Sequence, residues 1–222
     1  MLSSTFARAV RSSRPAIRAP VLHLRGSRAI STLPENTQIF VHKDPLDPTK
    51  HLLSLLPTNP PTPQLAIGTA SALPVTPQNF TSNPQFLPLL SSILAEHAAH
   101  DPMVQGQAAA FASPGGFNLS RPNDGAGGAS HQGGAGGGHM GGWIHVSDMR
   151  NPPDYGRIAW PEDIFGSLEV DGSGRIVEGS WQDSGSYRAV TREGVLGLTE
   201  FMRGKVVTRL QELEGQIKAN SK

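Results

Sequence analysis

The chain has 222 residues with 19 basic and 18 acidic side chains, eight histidines and no cysteine. Without cysteine it can form no disulfide, no thiolate-bound iron–sulfur cluster, no cysteine zinc site and no cysteine nucleophile. No uninterrupted apolar run approaches the ~18 to 20 residues that cross a bilayer, so the sequence predicts a protein that has no transmembrane segment and is soluble or at most peripheral.

The first 31 residues have the composition of a mitochondrial transit peptide. They contain six arginines, six serines and no acidic residue. At 100° per residue, apolar side chains between Leu2 and Val10 collect on one side of a helix and arginines on the other. Import machinery and the membrane potential both act on such a helix, so we expect residence in the mitochondrial matrix. The arginines that we assign to targeting are Arg8, Arg11, Arg14, Arg18 and Arg28.

The alternative for this segment is a solvated basic tail that contacts nucleic acid electrostatically. Matrix processing typically leaves an arginine two residues before the cut and a serine after it, and Arg28 with Ser31 fits that pattern. Removal of the segment leaves 13 basic against 18 acidic residues, a net charge of −5 before histidine is counted. An acidic mature protein argues against general nucleic-acid binding, although a local basic patch can coexist with a negative total.

Residues 32–112 carry the pattern of a β-α-β-α unit. β-Branched and aromatic residues predict a strand at 37–42, and the apolar segment LAIGT predicts a buried strand at 65–69. Between the two strands, Asp47 and Pro48 open a predicted short helix that carries the leucines of 52–56. A right-handed crossover through this helix places the two strands parallel.

A second predicted helix runs from Pro84 to His100. Its apolar residues recur at helical spacing, and Asp101 and Pro102 end it. Residues 113–142 then contain 12 glycines in 30 positions, and few of their side chains could offset the entropy of ordering this backbone. We expect a flexible loop there. Its glycines do not match a phosphate-binding loop, because no strand leads into them and no Gly-Lys-Ser/Thr follows.

Residues 143–222 carry mostly strand patterns and then a long helix. A strand is predicted at 143–146, a proline-rich corner at 151–155 and an extended segment at 156–160. Segments 164–170 and 175–180 flank the turn of residues 171–174, which predicts a β-hairpin. An apolar stripe predicts the helix at 191–219. Gly197 and Gly204, seven residues apart on that helix, would permit close approach of a neighbouring element or merely weaken the helix.

Together these elements predict an α+β or α/β protein. A single mixed sheet would join the β-α-β half (32–112) to the C-terminal hairpin, and the long C-terminal helix would pack on that sheet. About 190 residues after the leader are enough for one domain, so we expect 32–112 and 143–222 to fold together.

Two groups of histidines could bind a metal. His97, His100 and Asp101 lie close in sequence, but at a helix C-terminus protonated histidines are favoured by the helix dipole. His131, His139 and His145 surround the glycine-rich segment, and ordering that segment would cost most of the binding free energy. The sequence therefore predicts no metal, no cofactor and no catalytic residue.

Four carboxylates, at Glu162, Asp163, Glu169 and Glu178, could include a general acid and a general base, although such residues beside a turn more often form a solvated face. The segment 155–163 is more informative, because aromatic residues and an arginine beside prolines form rigid corners that serve as binding anchors. We predict an interaction surface there, with the alternative that the aromatic residues close the core at strand ends. Its members are Tyr155, Arg157, Trp160 and Asp163.

The sequence PDYGRIAWPEDIFGSLEVDGSGRIVEGSW, followed by an amphipathic C-terminal helix, resembles uncharacterised fungal mitochondrial proteins. The resemblance covers the last third of the chain. It implies mitochondrial residence and provides no catalytic residues to transfer.

Two classes of function remain open. The first is a non-catalytic matrix factor, an accessory or assembly protein that engages a larger mitochondrial complex. The second is a small matrix enzyme with an acid-base site between the two halves and the glycine-rich segment as a lid. A cleft with converging carboxylates or imidazoles would favour the enzyme, whereas scattered ones on a convex face would favour the accessory factor.

Overall fold

A computed structural model describes residues 31–113, 141–154 and 157–220. These residues form three α-helices and short antiparallel sheets, so the mixed α+β class is confirmed. The predictions for the targeting arginines, for most of the glycine-rich segment and for Tyr155 concern positions outside the described residues.

The first sheet is a five-stranded antiparallel meander, in which each strand pairs with the next in the chain. Its strands are β1 (Ser31–Thr32), β2 (Phe40–Lys43), β3 (His51–Ser54), β4 (Gly68–Ala70) and β5 (Phe80–Ser82). The predicted strands at 37–42 and 65–69 correspond to β2 and β4, which run in the same direction but lie on either side of β3. A third, antiparallel strand therefore connects them in place of the predicted helical crossover.

The predicted helix of residues 47–56 is wrong, because Asp47 forms a tight turn and the following leucines form β3. The Asp47 carboxylate accepts hydrogen bonds from the backbone N–H and the hydroxyl of Thr49, at 3.1 and 2.6 Å. The Asp44 N–H donates to the Lys50 carbonyl at 3.1 Å and closes the β2–β3 hairpin. Leu52 and Leu53 point to opposite faces of the strand and are both buried, so β3 is covered on its two sides.

Two consecutive helices follow the first sheet. Helix α1 (Phe86–His97) continues into a 3₁₀ turn (Ala98–His100), which confirms the helix predicted between Pro84 and His100. Asp101 and Pro102 end this helix as predicted, and they also begin helix α2 (Pro102–Ala112), which was not predicted. The Asp101 side chain caps α2 by accepting a hydrogen bond from the Met103 N–H at 2.8 Å.

A second, three-stranded sheet contains β6 (Gly142–Ser147), β7 (Ile164–Val170) and β8 (Gln182–Asp183). The predicted strands at 143–146 and 164–170 are therefore confirmed. The predicted turn at 171–174 is confirmed too, and the Asp171 N–H closes it by donating a hydrogen bond to the Arg175 carbonyl at 2.9 Å. The second hairpin strand, at 175–180, is reduced to one bridge between Ile176 and Val170. The Ser180 hydroxyl accepts a hydrogen bond from the Glu169 N–H at 3.0 Å. The strand that pairs with β7 on this side is β8.

The C-terminal helix α3 (Glu200–Asn220) begins later than the predicted position 191. The preceding residues form a small hairpin of β9 (Val190–Thr191) and β10 (Gly194–Val195), in which Gly194 has φ +125°, a conformation that disfavours other residues. Thr199 then caps α3 by accepting the Met202 N–H at 3.1 Å. Gly197 therefore precedes the helix and does not share a helix face with Gly204.

The hydrophobic core draws on both sides of the glycine-rich segment, and α1 packs against α3 within it. The described residues form three separate sheets, so the single mixed sheet of the prediction is wrong. No helix in the described ranges is long and apolar enough to cross a membrane. The largest fully buried core side chains include Ile39, Leu53, Ile67, Phe86, Leu90, Leu94, Leu168, Leu196, Met202 and Leu210.

Candidate interaction site

The corner that precedes β7 displays its large side chains to solvent. Trp160 is 69% exposed and Ile158 is 39% exposed, whereas Ala159 between them is buried. The side chain of Arg157 is also exposed. The alternative in which the aromatic residue closes the core is therefore wrong for Trp160, since a core tryptophan would have its indole covered.

The backbone beside Trp160 is held in place on both sides. Pro161 opens a 3₁₀ turn (Pro161–Asp163), and the Asp163 N–H donates to the Trp160 carbonyl at 2.8 Å. The Asp163 carbonyl then accepts the Asp148 N–H at 2.7 Å, which ties the turn to the end of β6. The Asp163 side chain points inward and is only 1% exposed, so its predicted place on the interaction surface is wrong.

Trp160 stands at the edge of a cleft of about 380 Å³, a size at the lower end of known ligand pockets. Two guanidinium groups and two carboxylates surround this cleft. None of the four side chains makes an ion pair with another described residue. The lining residues of this cleft, which we call the Trp160 cleft, are Trp160, Pro161, Glu162, Ser186, Arg188, Arg192 and Glu193.

The two walls of the Trp160 cleft are joined by a buried arginine, Arg150. Its Nη2 donates to the carbonyl of Glu162 at 3.0 Å and to the carbonyl of Arg188 at 2.7 Å. The Arg188 N–H also donates to the Glu162 carbonyl at 3.1 Å, and the Ser186 hydroxyl donates to the Pro161 carbonyl at 2.8 Å. These bonds hold the segment 186–188 against the segment 160–162.

Arg150 itself belongs to a buried charged cluster with Asp148, Asp163 and Tyr187. Its Nε donates to Asp163 Oδ1 at 2.8 Å, and its side chain is 3% exposed. Asp148 lies 3.7 Å from the same Nε and accepts hydrogen bonds from the Tyr187 hydroxyl at 2.8 Å and the Gly197 N–H at 2.9 Å. Arg150 Nη1 and Asp163 Oδ2 have no hydrogen-bond partner within the described ranges.

Burial is the main cause of the pKa shifts of Asp148 and Tyr187. It raises the pKa of Asp148, while Arg150 and the hydrogen bonds from the Arg150 N–H, Tyr187 and Gly197 oppose that rise. Burial, together with the neighbouring Asp148 carboxylate, raises the pKa of Tyr187 well above its ordinary value of 10.0. The Tyr187 phenol therefore keeps its proton at neutral pH and serves as a hydrogen-bond donor to Asp148.

Of the four candidate acid-base carboxylates, Glu162 alone lines the Trp160 cleft. Asp163 is buried behind it, and Glu169 and Glu178 are exposed residues outside its lining. His145 Nδ1 lies 2.8 Å from the Ser167 hydroxyl across the β6–β7 pair. Burial lowers the pKa of His145.

The predicted histidine groups do not form a metal site in the described part of the chain. His97 is partly buried and His100 is exposed, whereas Asp101 is buried and engaged in capping α2. Of the second group, only His145 falls within the described residues, since 131 and 139 lie outside them.

The sequence interpretation missed most of the residues that build this site. They come from three segments that the fold brings together, and no local pattern distinguishes them from ordinary surface charges. The closest signal is the short run in which Asp148 and Arg150 precede two prolines. The missed residues are Asp148, Arg150, Ser186, Tyr187, Arg188, Arg192 and Glu193.

Comparison of the chain with protein-family models, with curated proteins and with solved structures yields no match.

Proposed function

We propose that this protein is a non-catalytic interaction factor of the mitochondrial matrix, which docks a partner protein at the Trp160 cleft. The observation that carries the proposal is the 69% exposure of Trp160, which lines a cleft with four charged side chains that make no ion pair with another described residue. Tryptophan and arginine are the residue types most enriched among binding hot spots.

Exposure of a large indole needs a reason, because covering it would release apolar surface from water. Ile158, two residues before Trp160, is a second exposed apolar side chain of this corner. A partner that covers these two side chains would gain hydrophobic free energy that the isolated chain forgoes.

The rigidity of the corner supports the same function. The Arg150 side chain bonds both walls of the cleft, and the Trp160 carbonyl is fixed by the Asp163 N–H. A preformed surface binds more tightly than a mobile one because less conformational entropy is lost on association. The buried Asp163 therefore contributes to this surface as a positioning residue.

The mitochondrial part of the proposal is supported by the arginine-rich, acid-free composition of residues 1–31 and by the resemblance to fungal mitochondrial proteins. Import and processing can be tested with a C-terminally tagged full chain. We expect the tagged protein in the matrix fraction, shortened by about 30 residues as a transit peptide predicts. A full-length cytosolic protein would overturn this part of the proposal.

The docking function is tested by purification of the tagged protein from mitochondria, followed by sizing. The wild-type chain should co-migrate with a larger assembly, and Trp160→Ala should migrate as the free protein. Leu46→Ala is the matched control, because Leu46 is 86% exposed and lies outside the cleft lining.

Two results of this experiment would contradict the docking function. A Trp160→Ala protein that stays in the assembly would exclude the cleft as the docking site. A wild-type monomer that carries a bound metabolite would instead support the small matrix enzyme.

A further inference from the structure

A second cleft of about 380 Å³ lies beside the Trp160 cleft, on the other side of the β9–β10 turn. The two clefts share Glu193, which lines both. Arg150 also connects them, since it lines the second cleft and bonds two carbonyls in the walls of the first. The two clefts are therefore neighbouring parts of one surface and meet at Glu193 in the β9–β10 turn.

A turn at residues 35–38 also lines the second cleft, and hydrogen bonds hold it in place. Asn36 Nδ2 donates to the Leu196 carbonyl at 2.8 Å, and its side-chain oxygen accepts the Gln38 N–H at 3.0 Å. Glu35, beside Asn36, is exposed and makes no ion pair with a described residue. This turn offers a carboxylate and amide groups, but no basic side chain.

The charges of the combined surface are unevenly distributed. Arg188 and Arg192 both line the Trp160 cleft, where Glu162 and Glu193 are the acidic groups. The second cleft carries Glu35 and Glu193, and its one basic residue, Arg150, is buried and paired with Asp163. Among the lining residues, exposed guanidinium groups therefore lie only at the Trp160 end, where they can pair with a carboxylate beside the indole. The other end offers exposed carboxylates, which can pair with a cation.

The geometry points to one occupant of both clefts: an extended segment of a partner protein, acidic at one end and basic at the other, with an apolar side chain against Trp160. This inference rests on the proposed docking function and specifies the partner's chemistry. A nucleic acid fits less well, because three carboxylates, those of Glu35, Glu162 and Glu193, would face its phosphates.

The inference can be tested with defined peptides and the full chain. The peptides carry Glu-Leu or Leu-Glu at one end and Lys at the other, separated by one to four prolines, because proline spacers stay extended at about 3.1 Å per residue. Calorimetry should identify one peptide whose spacer length fits the surface. That peptide should bind at least about tenfold more tightly than the same peptide with glutamine in place of both charged residues, since a fully covered charge pair contributes on that scale.

A charge exchange provides the decisive control. In the double variant Arg188→Glu with Arg192→Glu, the affinity for the glutamate-containing peptide should fall by about tenfold or more. The same variant should bind more tightly a peptide in which lysine replaces the glutamate. The matched variant Arg209→Glu changes an exposed arginine of α3, outside both clefts, and should bind as the wild type does. Circular dichroism of each variant checks that it is folded.

Several outcomes would overturn the inference. Equal binding of the charged and neutral peptides would do so, as would binding of a single-stranded oligonucleotide in their place, or self-association of the chain that Trp160→Ala abolishes. If no peptide binds while Trp160→Ala still releases the protein from its mitochondrial assembly, the peptide inference fails and the docking function stands. If the peptides bind but the Trp160→Ala protein keeps its assembly, the docking function fails.

Discussion

The guanidinium of Arg150 and the carboxylate of Asp163 form a buried ion pair in which Nη2 lies 2.7 Å from Oδ1. The pair joins the end of β6 to the start of β7, and the same Nη2 reaches the Arg188 carbonyl next to β9. One side chain thus connects the end of β6 to both walls of the Trp160 cleft. Replacement of a whole buried ion pair by apolar residues is often neutral for stability, whereas removal of one partner leaves an uncompensated buried charge.

Loss of the Arg150 guanidinium should strongly destabilise the protein. Arg150→Met would leave the carboxylates of Asp148 and Asp163 buried without their cation, and we expect a loss of about 3 to 5 kcal/mol. Urea denaturation measures this change. The double variant Arg150→Met with Asp163→Asn should recover part of the loss because one buried charge is removed with its partner. A single-variant loss below about 1 kcal/mol would contradict the assigned role of Arg150.

Replacement of Trp160 should leave the fold intact. Because its indole is mostly exposed, Trp160→Ala should change the free energy of unfolding by no more than about 0.5 kcal/mol. Trp181→Ala is the contrasting variant, since Trp181 packs against the core and its Nε1 donates to Asp183 at 3.0 Å. That substitution should cost at least about 2 kcal/mol. Equal losses for the two variants, measured by denaturation, would contradict the exposed placement of Trp160.

The two glycines Gly197 and Gly204 should respond in opposite directions to alanine. A Cβ atom at Gly197 would lie 2.7 Å from the Arg150 backbone nitrogen and 3.1 Å from an Asp148 carboxylate oxygen. Gly197→Ala should therefore destabilise the protein by about 1 to 3 kcal/mol. A Cβ at Gly204 meets nothing within 4 Å on α3, so Gly204→Ala should stabilise it by about 0.5 to 1 kcal/mol. Thermal unfolding of both variants distinguishes these effects, and a shared sign would contradict them.

The contribution of Glu214 to stability should depend on pH. Burial acts to raise the pKa of Glu214, but hydrogen bonds from Lys218, Thr58 and Thr62 hold it below its ordinary value of 4.5. A carboxyl whose pKa is lowered by folding stabilises the protein above the pKa of the unfolded chain and loses that contribution as the pH falls through the folded value. The stability difference between wild type and Glu214→Gln should therefore be constant above about pH 5.5 and shrink below pH 4.5.

Glu212 offers a control for this experiment. It pairs with Arg209 at 2.9 Å, and both side chains are about half exposed, so Glu212→Gln should change stability little at any of these pH values. Denaturation at several pH values provides the comparison. A Glu214→Gln difference that grows on acidification would reverse the assigned direction of the pKa change.

Hydrophobic spacing predicted the elements whose burial is decided locally, such as α1, β6 and β7. It failed where contacts with distant parts of the chain determine the secondary structure. The leucines after Asp47 satisfy a helical pattern, but burial on both faces and the Asp47 turn make them a strand. Asp101 and Pro102 end one helix and begin another, since the signals for the two events overlap.

The interaction site was only partly predictable for a related reason. Trp160 lies beside prolines in a segment whose composition marks an exposed corner, and the sequence indicates it directly. The cleft around Trp160 also needs Arg188, which lies just before β9, and Arg192, which lies in the β9–β10 turn. Short strands of two residues carry no periodic pattern, so nothing local indicates where such a hairpin lies.

The capping carboxylate of Asp101 also accepts a hydrogen bond from the Thr199 hydroxyl, 98 residues further along the chain. Thr199 caps α3 in turn, so the first turns of α2 and α3 share a single chain of hydrogen bonds. A thermal fluctuation that frees Asp101 therefore loosens both helix starts at once. Deuterium should accordingly enter the leading amides of these two helices at matching rates, as though they belonged to one cooperative opening unit.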